Sequence, residues 1–405
     1  MRHAFGKLYF TTSSSLHVYP SQRLNSPDNR QLLVIGALFA FFALAHPSVA
    51  SARTPEGFFG ISAPHMSAST LDQQSRTLAV TRNSGVETVE LVFNWADIEP
   101  RAGEYWFDKM DGAVAAAAQN GLAINAAILG APAWASSAPA NAQGGFYPPK
   151  RVGDFARFAA KLVERYGPNG EYWSTFDRWS DPYTVKPIKV WRIWNEPSLP
   201  VWWRPRPNAR AYVRLLAAAR RSILRVDSSA KVLTAGIPDS KLGVPMDRFI
   251  RGMYRAGGAR VIDNLALNPY AANYKGILGA LRRTRITQKR YRDLSAKIWI
   301  TEFGWADSGP PGAFTTTSRG QARRIRDAVR MLVGVRVRFN IAGVNYFAMR
   351  DQEPTPNSDF WGRHTGLFRL DGRAKQAWST YYTEARRARG VRGSKPPNRL
   401  PSIGD

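Results

Sequence analysis

From residue 58 to about residue 387, short apolar runs of β-forming residues alternate with longer helical patterns, and this alternation narrows the fold more than any other feature. Strands are expected at Phe58–Ser62, Thr88–Phe93, Ala123–Leu129, Lys189–Trp194, Lys231–Ala235, Ile262–Leu267, Lys297–Thr301 and Ile341–Phe347. Helices are expected between and after them, around Leu71–Asn83, Asp108–Asn120, Val152–Tyr166, Ala209–Val226, Met246–Arg255, Tyr274–Asp293, Gly320–Arg336 and Ala374–Arg387. Several strands, such as Ile124–Leu129, are apolar on both faces, as required when helices cover one side and a packed interior the other.

Eight β/α units in about 330 residues predict an α/β protein with a single (β/α)8 TIM barrel over residues 53–389. The competing doubly wound sheet needs a ligand fingerprint at its switch point, and no G-x-G-x-x-G follows the first strand. No repeat of about 20 to 50 residues exists beyond the alternation itself. With 44% apolar residues and 13 Trp, the chain can fill a large core. Zero cysteines exclude disulfide scaffolds, thiolate metal sites and Cys nucleophiles, and five His without paired spacing give no metal site. No metal or cofactor is called for.

Two segments fall outside the barrel. Leu32 to Ala45 is an apolar run of 14 residues, preceded by Arg30 and followed by Ala50-Ser51-Ala52, a small-x-small motif. It reads as a secretory signal peptide within a 1–52 leader, cleaved after Ala52, and is too short for a permanent membrane span. Residues 390–405, with Pro396-Pro397 and scattered basic residues, read as a disordered tail. The net charge of +27 becomes +24 after the leader, which carries four basic residues and one acidic, is removed. Such a charge raises a nucleic-acid or polyanion reading. No nucleic-acid motif accompanies it, so the expected partner is a carbohydrate, with an acidic polysaccharide or cell-envelope glycan favoured and no specific nucleic acid.

In a barrel of this kind chemistry sits at the C-terminal ends of strands. The fourth expected strand ends in Asn195-Glu196-Pro197 and the seventh in Glu302-Phe303-Gly304, so both glutamates would face one mouth. Glycosidic bond cleavage uses such a pair: one carboxylic acid protonates the leaving oxygen and one carboxylate attacks the anomeric carbon. The two must differ in environment. Trp191, Trp194, Trp202 and Trp203 should raise the pKa of Glu196 by desolvation, while hydrogen-bond donors, with Tyr270 as the candidate, should hold Glu302 ionised.

Trp194-Asn195-Glu196-Pro197 together with Thr301-Glu302-Phe303-Gly304-Trp305 resembles clan A of the glycoside hydrolases, as does Phe93-Asn94-Trp95-Ala96-Asp97-Ile98-Glu99-Pro100 continuing through Gly103-Glu104-Tyr105 to Asp108. Within the clan it looks like the family 39 xylosidases and exopolysaccharide endoglycosidases and the cellulase-like members. The resemblance implies a retaining, double-displacement hydrolase in which Glu196 is the acid/base, Glu302 the nucleophile and Asn195 a partner of the sugar 2-hydroxyl, with carboxyl groups about 5–5.5 Å apart.

One departure stands out. Many clan members end the eighth strand with Trp as a sugar platform, whereas here the strand reads Asn345-Tyr346-Phe347, with Trp361 in the loop beyond. Trp134, Trp202, Trp305 and Tyr346 are taken as substrate-binding aromatics, with Trp203 beside them and His65 after the first strand at the pocket. Trp95 and Glu99 are expected to brace the second loop, and Glu87, Glu90 and Asp263 to serve stability. Two other functions remain open: a catalytically idle carbohydrate- or envelope-binding barrel, and a polyanion binder.

Overall fold

Among the described residues nine strand segments, all paired in parallel, form one sheet that closes on itself. In this computed structural model, residues 53–64, 66, 70–142, 146–174, 185–353, 359–392 and 395–400 are described. The leader and signal peptide read at 1–52, and His65, lie outside them. The strands are β1 (Phe59–Ser62), β2 (Thr88–Asn94), β3 (Ala123–Leu129), β4 (Val190–Ile193), β5 (Lys231–Leu233), β6 (Ile237–Pro238), β7 (Asn264–Asn268), β8 (Lys297–Phe303) and β9 (Ile341–Tyr346). β1 pairs with β9 and β2, neighbours pair round to β5, and the ring closes where Leu233 of β5 meets Asn264 of β7. β6 is a two-residue continuation of β5 that pairs with Leu267 and Asn268 of β7. The result is an eight-stranded (β/α)8 TIM barrel.

The outer layer consists of α1 (Leu71–Ala79), the one-turn α2 (Trp95–Ile98), α3 (Asp108–Gln119), α4 (Val152–Tyr166), the short α5 (Glu171–Ser174), α6 (Ala209–Val226), α7 (Met246–Arg255), α8 (Tyr274–Arg290), α9 (Ser318–Val335) and α10 (Gln376–Arg389). Three of the eight expected helices have the predicted bounds. Starts are fixed by side-chain caps: Thr70 forms a capping box with Gln73, Asn208 accepts from Ala211 N, and Thr317 accepts from Gly320 N. α10 stops at Gly390, whose φ of +67° favours glycine. Among the described residues no helix is long and apolar enough to cross a membrane.

Strand alternation sorts the side chains into two environments. Outward residues such as Phe59, Ile61, Val89, Leu91, Trp191 and Ile193 pack under the helices and are almost completely buried. Inward residues are layered. Leu233, Ala266 and Trp299 form a small apolar plug, and a polar layer of Ser62, Glu90, Asn125, Arg192 and Asn345 is also buried inside the barrel. Gly60 of β1 makes room for that layer, because a Cβ there would lie 2.0 Å from Asn345 Oδ1 and 2.2 Å from Thr88 Oγ1.

The tail read as disordered is anchored over its described part. Ala374 N donates to the Asn398 carbonyl at 2.8 Å, Leu400 N to the Gly372 carbonyl at 2.7 Å, and Leu400 is only 4% exposed. Burial of one leucine and two main-chain hydrogen bonds outweigh the Pro-rich composition there.

Candidate active site

The chain leaves β4 through an unusual turn. Trp194 and Glu196 both have left-handed backbone, at φ +72° and +36°, a conformation that costs a non-glycine residue about 1–3 kcal/mol. Packing holds it. Trp194 is fully buried against Phe155 and Trp203, and its indole donates to the Trp202 carbonyl at 2.6 Å. The turn leaves Glu196 partly exposed. Asn268, the last residue of β7, donates from Nδ2 to Glu196 Oε1 at 2.9 Å, and Thr301 Oγ1 donates to Asn268 Oδ1 at 2.7 Å, which fixes the amide orientation. Space for Asn268 comes from Gly236, where a Cβ would sit 2.1 Å from Asn268 Oδ1. Trp202 hydrogen-bonds Glu196 through its side chain and stacks on Phe146, with centroids 4.6 Å apart.

Glu302 depends on an irregularity in β8. The register with β9 slips between Ile300 and Phe303, and strict alternation would otherwise send adjacent residues to opposite faces. Across the slip Thr301 reaches Asn268 while Glu302 Oε2 accepts from the Tyr270 hydroxyl at 2.9 Å. Tyr270 is held edge-on by Trp361, with centroids 4.8 Å apart. Beneath the carboxylates, Arg192 donates from Nη1 to Asn195 Oδ1 at 2.7 Å and from Nη2 to Glu90 Oε1 at 2.8 Å, and the same Nη2 lies 4.0 Å from Glu302 Oε1.

Two buried carboxylates, Glu90 and Glu302, therefore share one guanidinium, and half-buried Glu196 feels its charge. At 4 Å an ion pair is worth about 4 kcal/mol at an effective dielectric constant of about 20, so the shorter Glu90 contact takes the larger part of the Arg192 charge. The remaining charge cannot neutralise both Glu196 and Glu302. Glu302 is pushed up to about 8, first by burial and then by the Glu196 charge, while the Arg192 and Tyr270 contacts oppose this without prevailing. Glu196 is also raised, by burial first, against hydrogen bonds from Asn268 and Trp202. The two acids are near enough for mutual repulsion and titrate as a pair that retains a proton near neutral pH. The expectation that donors alone would keep Glu302 ionised is corrected: Tyr270 is the donor, but desolvation and Glu196 outweigh it. Tyr270 itself is raised well above its ordinary value by burial and by both glutamates, so it stays protonated as a donor.

The other expected residues divide. Asn195 is 7% exposed and tied to Arg192. Trp134 is half-buried, donates to the Glu99 carbonyl at 3.1 Å and packs edge-on against Trp95. Trp95 is buried and donates to Glu99 Oε2 at 2.6 Å, a bracing contact within the second loop.

Three aromatic expectations are overturned. Trp305 is fully buried with its indole on the Ala271 carbonyl at 2.6 Å. Trp203 is 3% exposed between Trp194 and Tyr212. Tyr346 is fully buried, packed on Phe303 and Tyr381, and donates to the Thr365 carbonyl at 3.0 Å. The reason is parity: Asn345 points into the barrel, so Tyr346 points out under the helices, and half-buried Phe347 comes back toward Tyr270, at a centroid distance of 6.5 Å. Phe347 and Trp361 both pack edge-on against Tyr270, the donor to Glu302. Sequence reading missed Asn268 and Arg192, and assigned Glu90 to stability. Their period-two placement on the inward face is the signal that finds them.

Two cavities open among the described residues at the C-terminal ends of the strands, neither lined by Glu196 or Glu302. One of about 320 Å³ lies between the loops after β2 and β3, lined by Asn94, Gly130, Ser136, Phe146 and Tyr147. The other, about 350 Å³, lies at the ends of β1 and β9, lined by Ser62, Met349, Arg350, Asp351 and Arg363. On its rim, buried Lys375 holds Asp307 at 2.6 Å and Asp351 at 2.8 Å. Among the described residues no cluster of His, Asp and Glu is arranged to hold a metal ion.

Comparison with known proteins places the chain among familiar architectures. A family model described as "Beta-galactosidase", of the glycoside hydrolase 42 type, matches residues 67–142. No curated protein matches the sequence. A family 39 glycoside hydrolase from Bacteroides cellulosilyticus WH2 superposes with a TM-score of 0.59 at 18% identity, covering 83% of this chain and 64% of that one. The chain thus spans less than two-thirds of that protein's length. The GH39 enzyme of Xanthomonas axonopodis pv. citri gives 0.59 at 16% identity, covering 86% and 69%. A GH5_18 protein from Streptomyces cattleya, solved in complex with GlcNAc, gives 0.55 at 16%, covering 85% and 83%. The chain resembles clan A glycoside hydrolases, as its strand-end motifs implied.

Proposed function

We propose that this protein is an exported retaining glycoside hydrolase acting on a polysaccharide or oligosaccharide. The observation that carries the proposal is the pair Glu196 and Glu302, on separate strand ends, each held by its own donor and near enough that the Glu196 charge raises Glu302. In the first step Glu196 gives its proton to the leaving oxygen while Glu302 attacks the anomeric carbon, which forms a glycosyl ester and releases the alcohol. In the second step Glu196, now a carboxylate, takes a proton from water, the resulting hydroxide equivalent displaces Glu302, and the acid is regenerated. For Glu302 to attack as the anion, the proton retained by the pair has to reside on Glu196. Tyr270 and Arg192 support the ionised Glu302, and Asn195 is assigned the sugar 2-hydroxyl from the resemblance of the strand-end motif.

This chemistry requires carboxyl groups about 5–5.5 Å apart. The two cavities supply flanking sugar sites, with Phe146 and Tyr147 the aromatic faces of the first. The positive charge of the mature chain favours an acidic polysaccharide or an anionic envelope glycan, in keeping with export by the leader at 1–52.

The test is Glu302→Gly assayed on an aryl glycoside with and without azide. Loss of turnover with recovery as a glycosyl azide supports the proposal, and full activity without Glu302 overturns it. A wild-type protein that binds glycans but turns over none in a panel of aryl glycosides and neutral and uronic-acid polysaccharides is the idle barrel instead.

A further inference from the structure

Glu90 is the third residue of β2, and its carboxylate is buried in the polar interior of the barrel. Its side chain is 3% exposed, and it accepts from Ser62 Oγ at 3.1 Å and from Arg192 Nη2 at 2.8 Å. Asn345 of β9 also hydrogen-bonds it, and Asn345 is in turn held by Asn125 Nδ2 at 3.3 Å. The Arg192 nitrogen that serves Glu90 is the one that lies 4.0 Å from Glu302 Oε1. One nitrogen therefore stands between two carboxylates, nearer to the one that is remote from solvent.

We infer that Glu90 is a positioning residue that apportions the Arg192 guanidinium between itself and Glu302, and so governs the pH range over which the catalytic pair works. The inference rests on the hydrolase reading and deepens it. A structural ion pair inside the barrel would need no third acid within reach, and replacing a buried pair by apolar residues is often neutral for stability, so stability alone does not account for it. The groups that face Glu302 are Arg192 from β4, Glu196 from the turn beyond it, Glu90 from β2 and Tyr270 from the loop after β7. Of these, Glu90 raises the proton affinity of Glu302 and Arg192 lowers it. Removing the Glu90 charge cancels the first influence and frees the guanidinium to strengthen the second, so both changes act in the same direction.

The experiment uses the full chain and Glu90→Gln, which keeps the shape and removes the charge. The acidic limb of the kcat/KM profile, which reports ionisation of Glu302, is expected to move down by about one pH unit, a roughly tenfold gain relative to wild type at a pH below the wild-type limb. A merely structural Glu90 lowers activity at every pH and leaves the limb where it was, and that result overturns the inference. If Glu90→Gln does not fold, Ser62→Ala removes one donor to the Glu90 carboxylate, favours its protonated form and is expected to shift the limb the same way by a smaller amount. A carboxyl NMR titration of 13C-labelled glutamate, with Glu302 identified by its disappearance in Glu302→Gln, reads the same shift without turnover. A wild type that hydrolyses nothing sinks the hydrolase reading, whereas an unmoved Glu302 midpoint in either variant sinks this one.

Discussion

Tyr270, just past β7, donates its hydroxyl proton to Glu302 of the neighbouring β8 across 2.9 Å, while Asn268, two residues before it, donates to Glu196 at 2.9 Å. One five-residue strand and its exit thus hold both acids of the pair. Which acid gains from which donor sets opposite expectations for the two limbs of a pH profile.

Tyr270→Phe removes a hydrogen bond that favours ionised Glu302, so Glu302 holds its proton to higher pH. The acidic limb of kcat/KM should rise by about one unit, and kcat at the optimum should fall about 10–100-fold. Trp202→Phe removes a donor that favours ionised Glu196, so Glu196 stays protonated longer and the basic limb should rise instead. Both variants moving the same limb would contradict the assigned roles.

Glu196→Ala should lose about 10²–10⁴ in kcat/KM on substrates with poor leaving groups. On a dinitrophenyl glycoside, which departs without a proton, the first step should be almost unaffected, and a burst of phenol should reveal the accumulated ester. Equal losses on both substrates would place the acid elsewhere.

Gly236→Ala puts a methyl group where Asn268 Oδ1 and Thr301 Oγ1 stand, at 2.1 and 2.6 Å. Asn268 has to withdraw from Glu196, so activity should fall at least about tenfold while a far-UV circular dichroism spectrum stays that of the wild type. Wild-type kinetics in a folded Gly236→Ala protein would remove Asn268 from the site.

Glu302 binds its proton more tightly in the folded protein than in the unfolded chain, from an ordinary 4.5 up to about 8. Between those values unfolding releases a proton, so raising the pH costs stability there, and at lower pH the penalty vanishes. Glu302→Gln should therefore raise Tm most at pH 8, on the order of 5 °C, and leave it unchanged at pH 4. A pH-independent change in Tm would refute the buried, repelled carboxylate.

How far these features could be read from the sequence depended on parity and register. Alternating apolar runs marked all eight barrel strands, and Glu196 and Glu302 were visible because each follows such a run. Tyr346 was misread because its position in sequence, at the end of β9, says nothing of the side it takes until Asn345 is known to face inward. Glu302 and Thr301 serve one site only through the slip in β8, which no local pattern announces. Arg192 and Glu90 meet across 102 positions of chain, so their pairing is a property of barrel closure. Trp305 shows the converse: an aromatic in the right loop, turned inward to fill the core under that loop.

The C-terminal stretch carries a practical consequence. Leu400 and Asn398 fasten the Gly372–Ala374 segment, and the next residue, Lys375, clamps Asp351 at the edge of the second cavity. Clipping by a protease, or a purification handle spliced in near residue 395, therefore pulls on the rim where a glycan would lie and not on a dangling end. Expression tags are better kept off this terminus.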